Sequence, residues 1–358
     1  MNNNTFCVIM AGGIGARFWP MSRKHTPKQF LDILGTGKSF IRATFERFLP
    51  LVPIENFMVV TNSAYKNLVL ENIPELAESQ VLCEPIRRNT APCIAYAAYT
   101  LQKSNPNAKM IVTPSDHLIL NEVDFHTIIN ECLEYAESND ALMTVGIRPS
   151  RAETGYGYIQ KSNNDLISRV KCFTEKPHLE LAQTFVECGE FFWNSGIFIW
   201  KAETIRQEME KHLPEVAGLF SGWENVIGSA AEGEFISRIY SDCTNISIDY
   251  GVMEKTDNVW ICPVSFGWSD IGTWESLYNF VPYKDDNGNV ITAEKTLTEN
   301  TRDVLIISPE KKKLIAVKGL ENFIIVDTDE VLLICPKDDR QFKDFMSGIA
   351  MPEYEKYR

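Results

Sequence analysis

The strongest constraint on this chain is a rhythm. Short apolar runs at residues 6–10, 57–61, 80–84, 109–113 and 141–147 alternate with amphipathic segments near 63–72, 91–102 and 122–138. Repeated strand–helix–strand units of this kind build a mostly parallel sheet covered by helices on both faces. In such sheets ligands sit beyond the carboxyl ends of the strands. The polar residues that follow each apolar run are therefore the first candidates for a site.

Further along, residues 156–200 favour strands around one helix at 179–188, and helices follow at 202–212 and 232–240. An apolar run at 258–264 leads into Trp268-Ser-Asp270 and a helix from about Gly272. After the turn signal Asp285-Asp286-Asn287-Gly288-Asn289 the texture changes. Short strands recur at 304–307, 314–317, 323–326 and 331–335 without long helices between them. At 358 residues the chain suits one large α/β domain with a smaller appendage. This predicts a domain at 1–288 and an all-β unit at 289–358, closed by a short helix after Lys337.

A formal net charge of -13 argues against general nucleic-acid or anionic-membrane binding. No stretch approaches the roughly 18 apolar residues needed to cross a bilayer, and the first residues make a poor signal peptide. The nine cysteines are scattered without a C-x-x-C pair. That usage points to reduced thiols in the cytoplasm and away from zinc.

The first apolar run passes directly into Ala11-Gly-Gly-Ile-Gly-Ala-Arg17. Glycines at 12, 13 and 15 let backbone N–H groups approach phosphate oxygens without interference from Cβ. The spacing is neither G-x-G-x-x-G nor G-x-x-x-x-G-K-[ST], which disfavours dinucleotide binding and Walker-type hydrolysis. The same glycines also suit a tight packing turn. Arg17, Arg23, Lys24 and Lys28 close by favour an anion site, because a packing turn has no use for four cations.

Eight blocks in order carry a family resemblance. They are Ala11–Arg17 with Trp19-Pro20, Ser22-Arg23 and Pro27-Lys28-Gln29-Phe30; Glu84-Pro85 with Arg88-Asn89-Thr90-Ala91-Pro92; and Pro114-Ser115-Asp116-His117. Next come Thr154-Gly-Tyr156-Gly157-Tyr158, Glu175-Lys176-Pro177 and Phe191-Phe-Trp-Asn194-Ser-Gly196. Ile248-Asp249-Tyr250 with Val252-Met253-Glu254-Lys255, and Trp268-Ser-Asp270-Ile-Gly272, complete the set. Together they resemble the mannose-1-phosphate guanylyltransferases, within the sugar-1-phosphate nucleotidyltransferases, over roughly residues 6–275. Ile14 and Ala16 stand where many relatives have Ser and Thr. Longer relatives carry an isomerase domain that a chain of this length is too short to hold.

The resemblance implies a Rossmann-like nucleotidyltransferase domain with a mostly parallel mixed sheet, a small C-terminal left-handed β-helix-like domain, and a homodimer. It implies GTP and a sugar 1-phosphate as substrates and Mg²⁺ as cofactor. By the same resemblance Arg17, Lys28 and Lys176 are catalytic. Ala11, Gly12, Gly13, Gly15, Arg17, Glu84, Asn89, Thr90, Ser115 and Asp116 bind nucleotide. Tyr156, Gly157, Glu175, Lys176 and Asn194 bind the sugar phosphate, and Asp116 and Asp270 bind the metal.

The residues themselves allow alternatives. A carboxylate can accept both N1–H and the N2 amino group of guanine, which suits Glu84, yet a Glu before a proline is also a common surface residue. Asn89 or Thr90 reads as a helix cap as well as a ligand contact. Asp270 reads as an N-cap, Lys176 as a solvated lysine before a turn, and His117 as a structural histidine. Two neighbouring functions stay open: guanylyl transfer to another sugar 1-phosphate, such as a heptose or fucose derivative, and a non-catalytic regulatory homologue.

Overall fold

The computed structural model describes residues 4–309, 312–349 and 351–358. They group into two compact units. The first takes in Met1–Gly12, Phe45–Ser115 and Ile119–Trp268. Its frame is a nine-stranded sheet built from β1 (Thr5–Met10), β2 (Phe57–Asn62), β3 (Val81–Glu84), β4 (Lys109–Pro114), β5 (Leu142–Ile147), β6 (Tyr158–Lys161), β7 (Ser168–Thr174), β8 (Phe191–Lys201) and β9 (Val259–Val264). The strand order is β3-β2-β1-β4-β8-β5-β9-β7-β6.

Cys7, Val8 and Ile9 have no exposed surface. Successive residues of a strand point to opposite faces, so the sheet is covered on both. The helix Thr90–Ser104 contributes Ala91, Ile94, Ala95 and Ala98 to a core that also holds Met110, Val112, Phe198 and Trp200. The helix Glu122–Asn139 buries Phe125, Ile129, Cys132, Leu133 and Ala136, the spacing of a single apolar stripe.

The mostly parallel sheet that the rhythm predicts is instead evenly mixed. β1 pairs in parallel with β2 and β4, β2 with β3, and β5 with β9. β8 runs antiparallel to both β4 and β5, and β6 and β7 form an antiparallel pair. Alternating apolar runs report that strands exist, not which way they run. β8 lies between β4 and β5 and runs against both.

The second unit gathers Gly13–Thr44, Asp116–Leu118 and Ser269–Arg358. Its strands are β10 (Val290–Thr292), β11 (Lys295–Glu299), β12 (Leu305–Ile307), β13 (Leu314–Lys318), β14 (Phe323–Asp327) and β15 (Leu332–Pro336). β10, β12 and β14 pair in parallel, β11 pairs in parallel with β13, and β15 closes the first set antiparallel. The chain thus alternates between two small sheets. The expected boundary at residue 288 falls inside this unit, because Phe18, Trp19, Phe40, Ile271 and Trp274 share one core with Leu305, Ile324, Val326 and Phe342.

Two of the four N-terminal cations are used here. Arg23 is buried and ion-paired to Glu330, while Lys24 pairs with Glu355. The Trp19 indole N–H donates to the Tyr357 carbonyl at 2.7 Å, and Trp274 donates to the Trp19 carbonyl at 3.1 Å. Arg23 and Lys24 therefore fasten the turn segment to the C-terminal segment of the same unit. Glu330→Gln is expected to lower the melting temperature by a few degrees, since it leaves a buried guanidinium without its carboxylate. Differential scanning calorimetry checks it, and an unchanged midpoint denies the pair a structural role.

Candidate active site

β1 to β4 run parallel, so their carboxyl ends lie along one edge of the first unit's sheet. Ala11 follows β1; its N–H donates to Val60 O at 2.8 Å and its carbonyl accepts from the Thr61 hydroxyl at 2.9 Å. Ser115 follows β4, is buried, and donates its N–H to Met10 O at 3.1 Å. Glu84 is the last residue of β3 and only 4% exposed. Its Oε1 accepts from the Tyr240 hydroxyl at 2.8 Å. Its Oε2 has no partner among the described residues and lies 3.3 Å from where a Cβ on Gly12 would be. Burial pushes the Glu84 carboxyl up to about 7, against the pull of the Tyr240 hydroxyl and the Arg87 charge.

Asn89 caps the helix Thr90–Ser104, its side chain accepting from Thr90 N at 2.9 Å. The Thr90 hydroxyl accepts from Ile248 N at 2.9 Å. The capping reading of this block therefore holds, and both side-chain oxygens are engaged.

A second polar cluster in the same unit joins β6, β8 and the loop after β7. Glu175 is buried, with Oε1 accepting from Lys176 Nζ at 2.5 Å, while its backbone N–H donates to Glu254 Oε1 at 2.6 Å. A Cβ on Gly157 would meet Glu175 Oε2 at 2.5 Å, so any larger residue there would push the Glu175 carboxylate aside. Asn194 is anchored at both ends: Oδ1 accepts from the Thr144 hydroxyl at 2.9 Å, and Nδ2 donates to Asp249 Oδ1 at 2.8 Å. The Tyr156 ring packs edge-on against Trp193 and Trp268, with centroids 5.2 and 5.5 Å away. Lys176 has φ +48°, a left-handed conformation rare for a side-chain-bearing residue and concentrated at functional sites.

In the second unit the turn continues from Gly13. Its carbonyl accepts from Gln29 Nε2 at 3.0 Å, and that of Ile14 accepts from the Ser22 hydroxyl at 2.6 Å. The N–H groups of Gly12, Gly13, Ile14 and Gly15 have no acceptor among the described residues. With its carbonyls held and its donors unclaimed, this backbone is an anion-binding nest in the making. Arg17, one turn on, is exposed and has no ion pair among the described residues.

Lys28 differs from the mobile cation that the sequence suggests. It is 3% exposed, with Nζ 3.0 Å from Asp116 Oδ2 and donating to the carbonyls of Asp270 at 2.8 Å and Ile271 at 2.6 Å. Burial alone would raise the Asp116 carboxyl, but the Lys28 ammonium, aided by His117, holds it below the usual carboxylate range. Gly15 has φ +68°, and a Cβ there would sit 2.3 Å from Lys28 Cβ. Gly15→Ala is expected to cost roughly 1–2 kcal/mol from backbone strain alone, and more from the overlap. A melting temperature equal to the parent's would contradict this.

Asp270 does not cap the following helix. Thr273 caps Trp274–Phe280, and Asp270 Oδ1 instead accepts from Gly272 N at 3.1 Å. Ile271 between them has φ +42°, costly for a β-branched residue. Asp116 and Asp270 thus converge on Lys28, one through its carboxylate and the other through its carbonyl. Carboxylates such as those of Asp116 and Asp270 are chemically suited to Mg²⁺, which takes one or two carboxylates and completes its shell with water and phosphate. Among the described residues no group of three or more His, Cys, Asp or Glu side chains is placed to hold a metal, and no helix is long and apolar enough to cross a membrane.

Sequence reasoning assigned no role to Asp249, Tyr240 or Glu254. Asp249 and Glu254 lie in a recognised block, but Tyr240 ends an amphipathic helix and carries no polar signal.

Unclaimed backbone donors in succession, as in the turn after β1, are the kind of group that holds phosphate oxygens. The profile described as Nucleotidyl transferase matches residues 6–286. Over 98% of this chain and 76% of that protein, the sequence is 36% identical to a mannose-1-phosphate guanylyltransferase of Klebsiella pneumoniae. It is 37% identical to the alginate biosynthesis protein AlgA of Pseudomonas putida, covering 93% of this chain and 69% of that protein. A crystal structure of a mannose-1-phosphate geranyltransferase from Thermus thermophilus superposes with a TM-score of 0.87 at 28% identity, covering 97% of this chain and all of that one. The chain belongs to the nucleotidyl transferase family, in the group of the mannose-1-phosphate guanylyltransferases.

Proposed function

We propose that this protein transfers GMP from GTP to α-D-mannose 1-phosphate, releasing pyrophosphate and forming GDP-mannose. The observation that carries the reading is the run of four backbone N–H groups, Gly12 to Gly15, with no acceptor among the described residues, beside an unpaired Arg17. Such a nest takes phosphate oxygens. Glu84 would read the guanine edge with the oxygen that Tyr240 leaves open.

The sugar phosphate would bind at Tyr156, Gly157, Glu175, Lys176 and Asn194. Lys176, swinging from Glu175, would hold its phosphate. That phosphate attacks the α-phosphorus in line, and pyrophosphate leaves. It needs no general base, because a second pKa of ≈ 6 leaves it largely dianionic at neutral pH. The obstacle is repulsion between two polyanions, which positioning and cations must overcome. Arg17 would stabilise charge on the α-phosphoryl group and the leaving pyrophosphate, and Lys28 would hold Asp116 by its carboxylate and Asp270 by its backbone carbonyl. Asp116 and Asp270 would hold Mg²⁺, which supplies charge neutralisation and orientation to the phosphates when bound.

The two alternating parallel sheets after residue 288 support reading that region as a short β-helix. A cytoplasmic homodimer completes the proposal. Pyrophosphate release across four nucleoside triphosphates and mannose, glucose, fucose and heptose 1-phosphates tests the function. The proposal expects GTP with mannose 1-phosphate to be fastest; another sugar in first place reassigns the acceptor, and no turnover anywhere rejects catalysis.

A further inference from the structure

Asn194 is the residue of the sugar cluster that would be expected to meet hydroxyls, yet its amide is nearly spent. Oδ1 accepts from the Thr144 hydroxyl at 2.9 Å and from Gly196 N at 3.3 Å, and one Nδ2 hydrogen goes to Asp249 Oδ1 at 2.8 Å. At most one N–H remains for a ligand. Asp249 is in the opposite position. Its Oδ1 takes the Asn194 amide, and no other side chain among the described residues donates to its carboxylate. It is part-exposed rather than sealed in the core.

The backbone puts it there for a reason. Residues Asp249–Met253 form one wide helical turn in which Glu254 N donates to Asp249 O at 2.9 Å, five residues back. Wide turns of this kind re-aim side chains and are frequent at functional sites. The turn sets Asp249 beside Asn194. It also lets the Glu254 carboxylate accept from Glu175 N at 2.6 Å and the Tyr250 hydroxyl donate to Glu175 O at 3.3 Å. The same short segment therefore grips the backbone of Glu175 and offers a second carboxylate next to it. Burial, and then the Glu175 charge, push Asp249 up to about 7, while Lys176 and the Asn194 amide pull it down. These four groups share one small volume.

We infer that Asp249 is a second acceptor for the hydroxyls of the sugar phosphate, working beside Glu175, with Asn194 holding it in place. This rests on the sugar-phosphate reading of the cluster. Once Lys176 turns to the phosphate, Glu175 and Asp249 are two adjacent acceptors, suited to a ligand that offers two neighbouring hydroxyl donors. A single hydroxyl cannot satisfy both, so the pair selects for a diol of fitting geometry.

The test is steady-state kinetics of the full-length enzyme with mannose 1-phosphate and its 2-, 3- and 4-deoxy analogues. Asp249→Ala is compared with Asp249→Asn, which keeps an acceptor for the Asn194 amide and guards against misfolding. Both variants should raise KM for mannose 1-phosphate, Asp249→Ala by on the order of tenfold or more, with KM for GTP unchanged. One deoxy analogue should be penalised in the parent and no longer penalised in Asp249→Ala, a coupling that a merely structural role does not produce. If every deoxy penalty persists in both variants, Asp249 does not touch the sugar and the inference is overturned. If the parent turns over no sugar 1-phosphate at all, the functional reading fails first and takes the inference with it.

Discussion

Asp270→Asn is expected to lower kcat by on the order of a hundredfold or more. The carboxylate of Asp270 accepts from Gly272 N, and the carbonyl of an asparagine can do the same. What the substitution removes is a negative oxygen for Mg²⁺, whose charge neutralisation is worth several kcal/mol in phosphoryl chemistry. Asp116→Asn should lose as much turnover and also lose stability. Its carboxylate is the anionic partner of Lys28 at 3.0 Å, and that ammonium is almost fully buried. Stranding it costs roughly 1–3 kcal/mol, less than for a fully buried pair because Asp116 is partly exposed. Pyrophosphate release at saturating Mg²⁺ and a thermal melt separate the two effects. Near-parental turnover in either variant removes that residue from the metal site, and a parental melting temperature for Asp116→Asn contradicts the stability loss.

The second large effect concerns Glu84. Glu84→Gln should raise KM for GTP by at least about tenfold, because one charge-assisted acceptor of the guanine edge becomes a neutral amide. Preference for GTP over ATP should collapse with it, while kcat at saturation changes little. The pH dependence follows from the carboxyl held at about 7. Guanine donors require the ionised form, so KM for GTP in the parent should climb as pH falls below about 7. That climb should disappear in Glu84→Gln. The folded chain keeps this proton where an unfolded chain has released it, so the stability due to Glu84 declines as pH rises from the ordinary carboxylate range to about 7. Competition among four nucleotides at mildly acidic and mildly alkaline pH measures both, and an unchanged base preference rejects Glu84 as the guanine reader.

How much of this was legible in the sequence depended on how local the determinants are. Asp116 and Glu84 could be placed at the sheet edge because apolar runs mark the strands that carry them. The Asn89 cap was legible for the same reason, since capping involves adjacent residues only. The fate of the cations was not. Lys28 meets Asp270 across 242 positions, Arg23 meets Glu330 across 307, and Lys24 meets Glu355 across 331. Four positive charges in a short stretch read as one phosphate site, whereas the fold spends two on its C-terminal segment and one on fixing two aspartates. Of the four, Arg17 is the one with no ion pair among the described residues.

Two further features lay beyond local pattern. The direction of β8 is not encoded in its apolar residues, which would look the same in a parallel strand. Asp249 sits in a wide turn that no helical or strand period announces. The core shared by Phe18, Trp19 and the strands from β12 onward is likewise invisible to a reading that cuts the chain where its texture changes.

On the proposed function, the backbone donors of the turn after β1 receive the triphosphate. A crystal grown with a non-hydrolysable GTP analogue and MgCl₂ tests it most directly. The expected density has phosphate oxygens within hydrogen-bonding distance of the N–H groups of Gly12 to Gly15 and guanine against Glu84. A nucleotide bound elsewhere on the chain, with those amides facing only water, would contradict it.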